Sequence, residues 1–215
     1  MNRKAAFIFK DVAQGGDEWF NLRLGKATSS KFGAFMANYG AAFGPPAHKY
    51  ALQLALERIT GERSEFSFSN AHMDRGNIQE PDARELYEQT YFVDVENGGF
   101  FDCGEYSGSP DGLVNNDGVI EIKSVVAETH YKTLKRGSFD PAYKWQIAGH
   151  LDTTGRDWVD FVSYCSDFPE DRKLIVHRVT KGDFEKELEM LRSRRDEFLK
   201  LVRETRLVIL NKDNN

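Results

Sequence analysis

Only two cysteines, Cys103 and Cys165, occur among the 215 residues. They are too few for a disulfide framework or a four-thiolate cluster, and they suit a reducing, cytoplasmic setting. No run of ~18 apolar residues is present, so no ordinary membrane span is expected. The start offers only Ala5 to Phe9 as an apolar stretch, whereas a secretory signal needs a longer one. The histidines show no zinc-ligand spacing. No glycine-rich phosphate loop of the nucleotide-binding type occurs, so ATP is not expected. Internal repeats, low-complexity tracts and linkers are also missing, which favours one domain over residues 1–215.

What is present is ordinary for a folded chain: 40% apolar and 29% charged residues. The net charge of −5 speaks against a nucleic-acid partner, but distribution matters more than the sum. Between Glu18 and Glu57 there is no acidic residue, while Arg23, Lys26, Lys31 and Lys49 fall inside. A second basic stretch, Lys123 to Arg136, holds Lys132 and Lys135 against Glu128 alone. Two basic segments on an acidic protein suit an enzyme that grips a polyanion on one face.

Hydrophobic periodicity and turn residues outline the elements. A strand or loop leads to Trp19-Phe20, and Thr28, Ser29 or Ser30 caps a short helix to about Ala37. Gly40 to Gly44 reads as a mobile loop, and Pro46 opens a helix that ends near Gly61. A helix over Asn77 to Thr90 is expected, with Pro81 tolerable only in its first turn. Strand signals follow at Tyr91 to Val95, Phe100 to Cys103, before Ser109-Pro110, and at Val119 to Val125. Helices near Glu128 to Lys135 and Pro141 to Thr153 precede strands at Trp158 to Tyr164 and Leu174 to Val179. A long amphipathic helix closes the chain, burying Phe184, Leu188, Leu191, Phe198, Leu201 and Val202. This order points to an α/β (α+β) domain with a central mixed sheet flanked by helices.

The most specific local pattern is Ser109-Pro110-Asp111-Gly112 followed by Glu121-Ile122-Lys123. Alternation along a strand puts Glu121 and Lys123 on one face and sends Ile122 into the core, leaving its carbonyl at the site. Two carboxylates and a carbonyl make a hard oxygen site of the kind Mg²⁺ prefers. A neighbouring cation would lower the pKa of Lys123 and let it orient or deprotonate a water.

That arrangement resembles the PD-(D/E)xK nuclease superfamily, and further residues narrow the likeness. Arg75-Gly76 with Glu80 is similar to an upstream G-x-x-x-E element. Tyr143 with Gln146 resembles a Y-x-x-Q element. Trp19, Arg23, Gly25, Thr28 and Ser30 resemble an N-terminal W-x-x-x-R-x-G-x-x-(T/S)-x-S element. Together, from about Trp19 to His150, these resemble the lambda-exonuclease family, the YqaJ-like viral recombinases.

The resemblance implies a single nuclease domain with a restriction-endonuclease-like core, acting 5′→3′ on double-stranded DNA. It implies that Asp111, Glu121 and the Ile122 carbonyl bind Mg²⁺, with Mn²⁺ as a substitute and two ions per site. Lys123 would serve the attacking water, Glu80 would place that water or a second ion, and Gln146 would contact the scissile region. Arg23, Ser30 and Ser109 would hold the 5′-phosphate. Trp19, Thr28, Met73 and Tyr143 are further DNA-contact candidates, with Met73 a wedge, and Asp102 is a candidate extra ligand. The same resemblance implies a homotrimeric ring and a single-strand-annealing recombinase as partner. A structure- or site-specific DNA endonuclease of the superfamily is the alternative, because a fold does not fix a function.

Overall fold

The computed structural model describes residues 7–64 and 71–211, with the side chains of 71–77 outside the described set. Among the described residues, nine strands form two mixed sheets flanked by helices, so the α/β class expected is present with a second, smaller sheet beside the central one. In the first, β1 (Ile8–Lys10), β4 (Phe100–Asp102), β5 (Tyr106–Gly108) and β2 (Ala27–Thr28) lie side by side in that order. In the second, the order is β3 (Val95–Asn97), β6 (Gly112–Val114), β7 (Gly118–Ser124), β8 (Trp158–Tyr164) and β9 (Leu174–Thr180). Every neighbouring pair of that sheet is antiparallel except β7 and β8. Parallel neighbours need a long crossover. Here it is supplied by α5 (Ala127–Arg136) and α6 (Lys144–Thr154).

Alternation along β7 decides what each face holds. Ile120 and Ile122 point into one core with Trp158, Val162 and Tyr164, covered by Ala83 and Tyr87 of α4 (Ala71–Tyr91). Val119 points the other way into the larger core. There α3 (Pro45–Thr60) and α7 (Glu185–Leu210) pack against each other, joined by α2 (Gly33–Met36) and α6. Phe198 of α7 stacks against Phe35 and Tyr50 with ring centroids 4.6 and 5.4 Å apart. Glu121 and Lys123 share the face of Val119 and therefore look towards α6.

Three expectations change. The helix α4 begins at Ala71, and Pro81 lies in its interior. Pro81 is exposed, so water can satisfy the carbonyl that its missing N–H leaves unpaired. The segment from Tyr91 to Val95 is the end of α4 and a turn through Phe92, at φ 55°, with the strand starting only at Val95. Between β1 and β4, a seven-residue helix α1 (Asp17–Arg23) carries Trp19 where a strand or loop was expected. After strand β2 the short helix expected to about Ala37 is split into a 3₁₀ turn (Ser29–Lys31), with Thr28 at its N-cap position, and α2.

Candidate active site

The ladder that joins β6 and β7 builds the centre. Gly112 pairs with Ile120, which brings Asp111, one residue before β6, beside Glu121. The backbone N–H of Asp111 donates to the Ile120 carbonyl at 3.2 Å. In return the Ile122 N–H donates to Asp111 Oδ2 at 2.6 Å. One backbone bond and one bond to the carboxylate thus clamp the aspartate against the strand. Gly98 permits this: a β-carbon there would sit 1.7 Å from the Pro110 carbonyl oxygen.

Glu121 is 1% exposed and meets three donors. Lys123 Nζ and Gln146 Nε2 both donate to its Oε1. His150 Nε2 lies 2.6 Å from its Oε2. Gln146 and His150 stand four residues apart on α6, so they rise from one helix face above β7. From the other side of the sheet, Arg84 of α4 donates to the Asp111 carbonyl and lies 3.7 Å from Glu80. The structure therefore gathers Glu80, Asp111, Glu121, Lys123 and Gln146, and adds Arg84 and His150, which sequence reasoning missed. Their signal was visible in part, since Arg84 is i+4 from Glu80 and His150 is i+4 from Gln146.

The electrostatics fit a cation. Burial, the charge of Glu121 and that of Glu80 push the Asp111 carboxyl well above its ordinary value, despite Lys123 and the Ile122 N–H. Glu80 is raised by burial and by Glu121, partly offset by Arg84. Burial alone would also raise Glu121, but Lys123 and His150 overcome it and hold that carboxyl at about 2. Among the described residues no three carboxylate, imidazole or thiol groups already form a ligand shell. The donors on offer are the Asp111 and Glu121 carboxylates, the Ile122 carbonyl and Glu80, all hard oxygens suited to Mg²⁺. Crowded negative charge that the protein only partly neutralises is what such an ion would relieve. In the metal-free site, burial lowers the Lys123 pKa, but Glu121 and Asp111 raise it further, so its ammonium is held protonated.

The N-terminal element approaches the same loop. Trp19 Nε1 donates to Ser109 Oγ at 2.7 Å, and Ser109 Oγ donates to the Gly99 carbonyl at 2.6 Å. The Arg23 guanidinium lies 4.0 Å above the Trp19 ring, and burial lowers its pKa. Arg63, another residue not singled out from sequence, stacks 3.7 Å from the Phe20 ring and is near enough to depress Arg23 further. Ser30 is exposed, with its hydroxyl 3.3 Å from that of Thr28. Thr28 itself is 5% exposed, and its backbone N–H donates to the Tyr50 hydroxyl at 2.9 Å. Tyr143 lies beneath Lys123, with Nζ 5.3 Å from its ring. Asp102, at the end of β4 in the other sheet, pairs with Lys26 at 2.8 Å. Met73, Arg75 and Gly76 fall where side chains lie outside the described residues.

The family model described as the YqaJ-like viral recombinase domain matches residues 18–157. An alkaline exonuclease, LHK-Exo, from Laribacter hongkongensis is 31% identical, with 88% of this chain and 95% of that chain covered and a TM-score of 0.74. A structure of LHK-Exo in complex with dAMP gives 34% identity, 90% and 100% coverage and a TM-score of 0.69. A phage-related exonuclease from Haemophilus somnus 129PT shares the fold at 16% identity, with 85% and 95% coverage and a TM-score of 0.63. No curated protein matches significantly.

Proposed function

The chain belongs to the YqaJ-like viral recombinase domain family and is an exonuclease, a hydrolase acting on DNA, and from that premise we propose that it is Mg²⁺-dependent and digests one strand of duplex DNA 5′→3′. The products are 5′-mononucleotides and 3′ single-stranded tails, which a single-strand-annealing recombinase would use. The observation that carries this reading is the meeting of Asp111, Glu121 and Lys123 at the β6–β7 junction, with Glu80 and Gln146 beside them. The dAMP complex of LHK-Exo supports a mononucleotide as the product class.

In this reading Asp111, Glu121 and the Ile122 carbonyl hold the ion, and Glu80 holds a second ion or the attacking water. Bound there, Mg²⁺ supplies neutralisation of the charge that develops on the phosphoryl and leaving oxygens. Lys123 Nζ orients the water, and the Gln146 amide steadies the scissile phosphate. The water oxygen attacks phosphorus and the bond to the 3′ oxygen breaks, so the departing nucleotide keeps its own 5′-phosphate. The shortened strand then begins with a new 5′-phosphate. Arg23, Ser30 and Ser109 hold that group, since a guanidinium fork matches a phosphate dianion. Trp19 locates this pocket relative to the metal by its bond to Ser109.

The test is digestion of linear duplexes with 5′-phosphate or 5′-hydroxyl ends, and of a closed circle, with Mg²⁺ or chelator. Faster loss of the phosphorylated linear substrate, an intact circle and no reaction in chelator are expected. Equal rates at both ends, or release from 3′ ends, would overturn the polarity. Cleavage of the circle would favour the structure- or site-specific endonuclease.

A further inference from the structure

We propose that His150 is a positioning residue for the Glu121 carboxylate, fixing the direction in which that group meets the cation. The inference rests on the metal-site reading above and assigns a role to a side chain that reading does not use. Glu121 is pinned at Oε1 by Lys123 and Gln146. A carboxylate held through one oxygen can still swing the other, because the terminal torsion of a glutamate is broad. His150 stops that swing by meeting Oε2 at 2.6 Å. A carboxylate has about four lone-pair positions, and three donors here leave one direction open.

The imidazole is itself built in. It is 0% exposed, so it is placed to hold a neighbour rather than to reach substrate. The carboxylate can only accept, so Nε2 carries a proton and donates it to Oε2. Ser29 Oγ lies 3.5 Å from Nδ1 on the far edge of the ring. Gly149 lets α6 come this close to the 29–32 turn: a β-carbon there would fall 2.8 Å from Ser29 Cβ and from Phe32 Cδ2. The ring is thus held between the N-terminal element and β7. Partners that orient a metal ligand commonly change metal affinity by about 10–100-fold when removed.

The experiment is an electron paramagnetic resonance titration of the metal-free full chain with Mn²⁺. It compares wild type, His150→Leu, His150→Gln, His150→Asn and Glu121→Gln, with circular dichroism confirming each fold. His150→Leu should weaken binding by about 10–100-fold. His150→Gln, whose amide nitrogen reaches the place of Nε2, should recover most of it, and the shorter His150→Asn should not. Wild-type affinity in a folded His150→Leu, or in His150→Asn should the leucine variant not fold, would overturn the positioning role. A wild type that binds no Mn²⁺, or whose binding ignores Glu121→Gln, would overturn the metal site and this inference with it. Binding that needs Glu121 but not His150 would overturn the inference alone.

Discussion

Asp111 and Glu121 sit beside each other, yet their surroundings drive them in opposite directions. Glu121 has three donors, whereas Asp111 has one N–H and two acidic neighbours. A carboxyl raised in the folded state contributes stability that is complete below its unfolded pKa and lost as pH rises through the folded one. The metal-free protein therefore loses stability at Asp111 on going from acid to neutral pH. Glu121 behaves oppositely, its contribution present above its ordinary value of 4.5 and lost as pH falls through about 2. Asp111→Asn should consequently raise Tm in chelator, by a margin that widens from about pH 4 to pH 7, while abolishing nuclease activity. Calorimetry checks it, and a variant no more stable than wild type at neutral pH would contradict the crowding. Mg²⁺ should reverse the order by stabilising wild type alone. Lys123→Ala should lower kcat at least ~10²-fold, the usual scale for a group handling the proton or water, in single-turnover assays. At this scale the motif was legible because Glu121 and Lys123 alternate on a strand whose apolar neighbours are plain. Arg84 and His150 were legible only in part: each stands i+4 from a candidate residue on its helix, but that spacing acquires a meaning only once the partner's position is known.

At the scale of elements, the site depends on close backbone approaches. Gly98→Ala should push the Pro110-Asp111 peptide away from β3 and cost about 1–3 kcal/mol, the range for overpacking. Activity should fall by more than stability explains, because the displaced residue is Asp111. Denaturant unfolding and an activity assay on the same preparation separate the two. Beta-branched and aromatic runs made β7, β8 and β9 readable, and the 3.6-residue periodicity did the same for α3 and α7. The two- and three-residue strands were harder, because so short a run carries no period of its own. Strand β6, Gly112–Val114, reads as the exit of a turn until β7 is laid beside it. Pro81 misled for a physical reason: a proline is excluded from a helix interior by an unmet carbonyl and a clash, and an exposed position relaxes the first.

Across the whole molecule, α6 is the member that couples site to scaffold. Its Gln146 and His150 meet Glu121, while Asp152, 3% exposed, accepts from Arg192 at 2.6 Å and from Arg195 on α7. Removing one partner of a buried pair leaves the other charge stranded, at roughly 3–5 kcal/mol. Asp152→Ala should approach that loss in chemical denaturation. A change under about 1 kcal/mol would show that the existing pair with Asp196, 3.1 Å from Arg195, suffices to hold that guanidinium. No helix among the described residues is long and apolar enough to cross a membrane. A ring of three chains, which would keep duplex enclosed between cuts, should appear in light scattering as three times the 24.5 kDa of one chain, and a clean monomer would remove the ring. The most direct measurement is anomalous diffraction from a crystal soaked in Mn²⁺. A peak is expected at roughly coordination distance from the Asp111 and Glu121 carboxylates and the Ile122 carbonyl. A fully soaked crystal with no peak there, and those groups turned apart, would contradict the metal site.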